Sequence, residues 1–326
     1  MINQNAKASN GLELLEFNSA LGYVIKETDK VLLKSPLVIR EYTKHLTNSH
    51  GKLIRANSVL ICAENENGMV HPNAVKIAAA IEILHLATLV HDDIIDNADL
   101  RRGEVTLQKK YGKKTAVICG DYLLCAALNL VSSISNKQDY LDINMPNYIG
   151  RVCIGELDQH INNFNLNLSV YKYLKIISGK TAALFEASFF AGAVFSGTSE
   201  AECKRYKQLG FNIGMIFQLT DDCMDFDATV DEAKKPVQSD FEQGVITLPL
   251  IHAFMNKKDL KEKAAGSGIS RDEINEAVNI TGGLGFTKLT VNRYYKKSKK
   301  IIDELNVSEA KRNRLLMILD KSARLA

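Results

Sequence analysis

The chain of 326 residues has no tryptophan, only five prolines and 7% aromatic residues. Few prolines leave long stretches free of the residue that most strongly breaks a helix. No long run alternates apolar with polar residues as a half-buried strand would, while helical spacing recurs almost everywhere. The six cysteines (Cys62, Cys119, Cys125, Cys153, Cys203, Cys223) include no CxxC pair and no cluster with histidine at zinc-ligand spacing. That argues against a structural zinc site, and buried free thiols in a reducing, cytoplasmic setting are expected. Residues 1–10 are polar and lack the apolar core of a secretion signal. Charge interrupts the most apolar runs: Glu82 and His85 within 77–90, and Glu186 within 182–195. Neither run is therefore expected to span a membrane, and any membrane contact would be peripheral. A formal net charge of +3 gives no nucleic-acid footprint.

What is present is the balance of a globular protein, 46% apolar and 24% charged. Periodicity, proline and glycine place ten or more helices. One follows Pro36 and another follows Gly51. A long one runs from Pro72 to Asp96. Others cover 115–131, 148–164 and 200–225, and two meet at Gly179. Breaks fall at 266–268 and at Gly282-Gly283, while 100–112, 132–147 and 227–244 read as loops. No composition shift or fixed repeat marks a boundary, so a single all-α domain over 1–326 is expected, with 1–10 a disordered tail.

Two acidic clusters stand out: Asp92-Asp93-Ile94-Ile95-Asp96 and Asp221-Asp222-Cys223-Met224-Asp225. On a helix Asp92 and Asp96 share a face, as do Asp221 and Asp225. Each cluster follows apolar sequence, which a merely solvated face does not need. Clustered carboxylates suit Mg²⁺, which takes a few of them and completes its octahedron with water and phosphate oxygens. Cations for phosphate follow: Arg101 and Arg102 beside Gly103, Lys52 and Arg55 on one helix face, Lys180 with Thr181, and Lys234 with Lys235. His85 lies two turns before Asp92 on the same face, and Gln218 shares a face with Asp221. The pattern points to diphosphate chemistry assisted by metal. The basic stretch at 296–300 reads as a solvated helix face.

These segments together resemble the trans-isoprenyl diphosphate synthases, the polyprenyl synthetase family. The resemblance rests on Glu82-Ile83-Leu84-His85 leading into the first cluster and Leu100-Arg101-Arg102-Gly103, and on Phe217-Gln218-Leu219-Thr220 leading into the second. Gly120-Asp121-Tyr122-Leu123, Gly179-Lys180-Thr181, Lys235-Pro236 and Thr247-Leu248-Pro249-Leu250 follow in the expected order. The resemblance implies an isoprenoid synthase helical bundle around a deep central cavity, usually a dimer. It implies three Mg²⁺ per active site, held by Asp92, Asp96 and Asp221 with Asp93, Asp222 and Asp225 in support. Arg101, Lys180, Thr181, Gln218 and Lys235 would hold the allylic diphosphate, farnesyl or similar. Lys52, Arg55, His85 and Arg102 would hold isopentenyl diphosphate. Diphosphate would leave to give an allylic cation, isopentenyl diphosphate would attack it, and the released diphosphate would take the proton.

The sequence departs from the family pattern at His50, at Ala56 and at Val245, where a lysine is common. A neutral residue at Val245 occurs in some catalytic subunits of two-component synthases, so a heteromer with a small regulatory subunit stands beside the homodimer. Ala87 and Thr88 put small side chains one turn before Asp92, so an open tunnel and an all-trans product of about C30–C40 are expected by that resemblance, with Ala126, Ala127 and Leu128 near its floor. The rivals are a short-chain farnesyl or geranylgeranyl diphosphate synthase and a non-catalytic partner subunit.

Overall fold

The computed structural model describes residues 13–46, 51–135, 147–227, 239–266 and 268–325, so the expected tail, His50 and the Lys234–Lys235 pair lie outside the described residues. The fold is all-α. Its helices are α1 (Phe17–Leu33), α2 (Leu37–His45), α3 (Ile54–Ala63), α4 (Pro72–Ile95), α5 (Leu107–Tyr111), α6 (Lys113–Ser132), α7 (Tyr148–Ile161) and α8 (Val170–Ile177). Then come α9 (Ala183–Ser196), α10 (Glu200–Asp227), α11 (Ser239–Glu242), α12 (Leu248–Asn256), α13 (Lys258–Ala265), α14 (Arg271–Thr281), α15 (Gly283–Glu304) and α16 (Glu309–Ser322). Two antiparallel ladders of two residues each pair β1 (Leu15–Glu16) with β2 (Met69–Val70), and β3 (Leu100–Arg101) with β4 (Glu104–Val105). Strands this short carry no sequence period, which is why 100–112 reads as loop although it forms a hairpin followed by α5.

The chain divides into two compact units. One comprises Met1–Pro146, Glu186–Gln208 and Leu305–Leu315; the other comprises Asn147–Phe185, Leu209–Glu304 and Leu316–Ala326. In the first, α4 is the central element and packs on α1, α3 and α6. Its start follows from local chemistry: Pro72 needs no hydrogen-bond partner at the first helical position, and the His71 ring accepts the Asn73 N–H at 3.1 Å. Alanines, isoleucines and leucines carry it for 24 residues, most of them buried. In the second unit, α8, α10, α12 and α14 contribute to one apolar core that includes Tyr173, Ile176, Met215, Leu219, Leu250 and Val278. Helix α14 opens on a capping box between Ser270 and Glu273 and closes on Gly282 at φ 73°, a left-handed position that suits glycine.

Three sequence expectations need correction. No break occurs at Gly179: α8 runs through a π-helical turn, Ser178–Ala182, into α9. The glycine serves a close approach instead, since a Cβ there would sit 2.8 Å from the Arg151 carbonyl oxygen of α7. Of the thiols, Cys125 and Cys153 are exposed and the other four are buried. Leu128 is 50% exposed on α6 and does not line an interior, whereas Ala127 is buried.

By length and composition alone, α4 and α6 are long and apolar enough to cross a membrane. Half of the apolar window of α4 is buried inside the protein, as in a core helix, but only 28% of that of α6 is. The remainder of α6 presents Val117, Ile118, Leu128 and Val131 to the outside.

Candidate active site

The first acidic cluster occupies the C-terminal end of α4, with Asp96 as the C-cap residue. Its three carboxylates have different surroundings. Asp93 is 6% exposed and accepts a hydrogen bond from Arg101 Nε at 2.6 Å. Burial pushes its carboxyl above the ordinary range, and the Arg101 guanidinium opposes that shift. Asp92 is partly exposed and Asp96 exposed, on the other side of the helix. Arg101 reaches Asp93 because the β3–β4 hairpin turns back on α4 through Asn97, Arg102 and Gly103, all at positive φ.

Four basic side chains of this unit share one electrostatic environment. Burial lowers the Arg55 guanidinium to about 10, with Glu82 opposing the shift and Arg102 adding to it. Burial also holds His85 well below its usual value, and Arg55, Arg102 and Arg101 push in the same direction. His85 is therefore a neutral imidazole at pH 7. Gly51 lies flat against Arg102, where an added Cβ would be 2.7 Å from a guanidinium nitrogen. Lys52 follows it, exposed. The structure thus brings Arg55, His85, Arg101 and Arg102 into one neighbourhood, as an anion site requires.

The sequence marked Glu82 only as a charge within an apolar run and as part of a family segment, and assigned it no role in organising this group. Helix α3 begins after Leu53, which is left-handed at φ 47° and offers no side-chain cap. Glu82 of α4 supplies the acceptor instead, taking the Ala56 N–H at 2.8 Å. It thereby holds the helix end that carries Arg55.

In the second unit, α10 presents Asp221 to solvent and turns Asp222 inward, to 2% exposure. The buried Tyr173 hydroxyl donates to Asp222 Oδ2, and Gln218 Nε2 donates to its Oδ1 at 2.8 Å. The Gln218 carbonyl accepts from Thr181 Oγ1 at 2.6 Å. Burial raises the Asp222 carboxyl to about 8, helped by Asp240 and Asp221, while the two donors work against the shift. Lys180, in the π-helical turn, donates to Glu156 at 2.9 Å. Arg324 donates to Asp221 at 2.8 Å. Neither Tyr173, Glu156 nor Arg324 carries a local sequence signal, because each meets its partner across a long separation.

Among the described residues no three acids or histidines converge tightly enough to hold a metal by themselves. Mg²⁺ does not demand that, since one or two carboxylates suffice when phosphate oxygens and water complete its shell. Asp92 with Asp96, and Asp221 with Asp225, offer such pairs.

The polyprenyl synthetase family model matches residues 36–281. The chain belongs to the polyprenyl synthetase family. Component 2 of the heptaprenyl diphosphate synthase of Geobacillus stearothermophilus is 33% identical over 89% of this chain and 91% of its own length. The crystal structure of heptaprenyl diphosphate synthase from Staphylococcus aureus superposes with a TM-score of 0.85 and 31% identity, over 95% of this chain and 98% of that one. The polyprenyl synthase of Caulobacter crescentus CB15, solved with calcium and isoprenyl diphosphate, gives 0.82 and 28% over 94% of both. This polyprenyl synthetase is accordingly a prenyltransferase with the isoprenoid synthase helical fold, and the two aspartate clusters, Arg55, Arg101, Arg102, Lys180 and Gln218 all lie within the matched span.

Proposed function

We propose that this polyprenyl synthetase condenses isopentenyl diphosphate with an allylic diphosphate, in a Mg²⁺-dependent reaction, to make an all-trans product of about C30–C40. The observation that carries the chain length is on α4. Thr88, one turn before Asp92 and on the same side, is a small, partly exposed residue, and its hydroxyl is turned back to the His85 carbonyl at 2.8 Å. No aromatic ring stands there to stop a growing tail. Ala87 is buried on the side of α4 that carries His91, whose ring meets Val117 and Asp121 of α6. In this reading Ala87 supports the wall and Thr88 lines the path of the growing tail.

Asp92, Asp96, Asp221 and Asp225 would hold the metal, while Asp93 and Asp222 orient Arg101 and Gln218. Bound Mg²⁺ supplies positive charge for the departing diphosphate. Arg55, Arg102 and Lys52 bind isopentenyl diphosphate, and neutral His85 donates a hydrogen bond without adding charge. Arg101, Lys180, Thr181, Gln218 and Lys235 hold the allylic diphosphate. The work of the protein is alignment and electrostatic stabilisation, in a site that must exclude water to protect the allylic cation. The apolar outer face of α6 suits a second subunit in a cytoplasmic dimer. The likeness to a heptaprenyl synthase component 2 supports a second reading, a catalytic subunit that works with a separate partner.

The test is incubation of the purified chain alone with Mg²⁺, farnesyl diphosphate and labelled isopentenyl diphosphate, with chromatography of the dephosphorylated products. A ladder ending near C30–C40 is expected, and Thr88→Phe should cut it to C15–C20. A wild-type stop at C20 would refute the long-chain reading. No product would assign the chain to a two-component enzyme.

A further inference from the structure

Six of the 41 lysines and arginines form one run without an intervening acid, between Glu276 and Asp303, so the rest of a chain whose formal charge is +3 is net acidic by three. All six lie on α15. One face of that helix is buried through Gly283, Thr287, Ser298 and Ile302, which fixes the opposite face outward. At about 100° per residue, Arg293, Lys296, Lys299 and Lys300 fall within one outward sector about 120° wide, flanked by Lys288 on one side and by Lys297 on the other, over about 18 Å of helix, with the exposed Asp303 beyond its far end. Leu289, 62% exposed, lies in the same sector. Lys297 stands at its edge, over the Tyr294 ring. Glu304 faces Lys300 across 3.8 Å at the far end.

We propose that this face docks the enzyme reversibly on an anionic lipid surface. A fixed helix with a basic outer stripe and a single apolar side chain has the makings of electrostatic adsorption, and too little apolar surface for insertion. A bilayer suits the stripe better than a nucleic acid does. The tyrosines of α15 are engaged and not free to stack on bases, Tyr295 donating to Asp320 at 2.6 Å and Tyr294 lying beneath Lys297. Adsorption would place a synthase of long lipids beside the only phase that dissolves them. The docking itself does not rest on the chain-length reading, because it is measured without substrate.

The experiment is co-sedimentation of the full chain with vesicles of phosphatidylcholine, with and without phosphatidylglycerol. Binding is expected only with phosphatidylglycerol, and should be lost near 1 M salt, where screening acts within about 3 Å. The reversal Arg293→Glu/Lys296→Glu/Lys299→Glu should lower the partition coefficient at least about a hundredfold. The milder change of the same three residues to Gln should lower it in the same direction. Lys257→Glu/Lys258→Glu/Lys261→Glu changes the net charge equally at another place and should retain binding. Equal loss in that control, unchanged binding in both α15 variants, no preference for phosphatidylglycerol, or tighter binding to duplex DNA than to vesicles would each overturn the proposal.

Discussion

In each aspartate cluster the middle carboxylate is buried while the first stays toward solvent. Asp93 is tied to Arg101, and Asp222 to Tyr173 and Gln218. An acid so placed is a fastener, and its neighbours are left to meet a ligand. Tyr173→Phe removes the hydrogen-bond partner of a buried carboxyl group and should cost about 1–3 kcal/mol. Urea unfolding at constant pH measures it, and an unchanged midpoint would mean that Gln218 alone suffices. The spacing of the clusters was legible in the sequence, because i and i+4 on a helix must share a face. The division of labour within them was not. Tyr173 lies 49 residues from Asp222, and nothing near Asp222 announces the hydroxyl that meets it.

At the scale of elements, the helix limits written in proline and glycine were readable: Pro72 opens α4 and Gly282 closes α14. Gly179 misled because glycine serves close packing as well as turning, and only the backbone of α7 shows which use applies. Gly51 marked the start of α3, but its cap was hidden, since it comes from Glu82 on another helix. That arrangement has a kinetic consequence. Glu82→Gln should loosen the helix end that carries Arg55 and remove the charge that opposes its acidification. The Michaelis constant for isopentenyl diphosphate should rise about tenfold, near 1.4 kcal/mol, with less change for the allylic substrate. Steady-state kinetics with each substrate varied in turn would show it. Equal effects on both substrates would make Glu82 a general structural residue.

For the molecule as a whole, the chain forms two compact units from interleaved segments, and the one family match runs through both. Composition cannot reveal such interleaving. Lys311 joins the first unit because its ammonium donates to the Cys62 and Glu64 carbonyls at 2.9 and 2.6 Å, nearly 250 residues away. Stability against acid is another property of the whole fold. His85 is held well below 6.5 in the folded state, so the unfolded chain takes up its proton first. Stability from this group is present above about pH 6.5 and is lost as pH falls below it, by up to about 1.4 kcal/mol per pH unit. Urea midpoints from pH 7 down to 5 should fall less steeply in His85→Gln than in the wild type. Parallel slopes would assign the acid sensitivity to other groups.

The contact of Arg324 with Asp221 makes the arrival of any cation at that carboxylate an exchange. Where the incoming ion displaces that guanidinium from the one oxygen it holds, the net change of charge there is smaller by one than simple addition would give. The affinity measured on the intact chain is then a difference between two bindings. Loss of the last few residues should make the site bind metal more tightly and respond more steeply to salt.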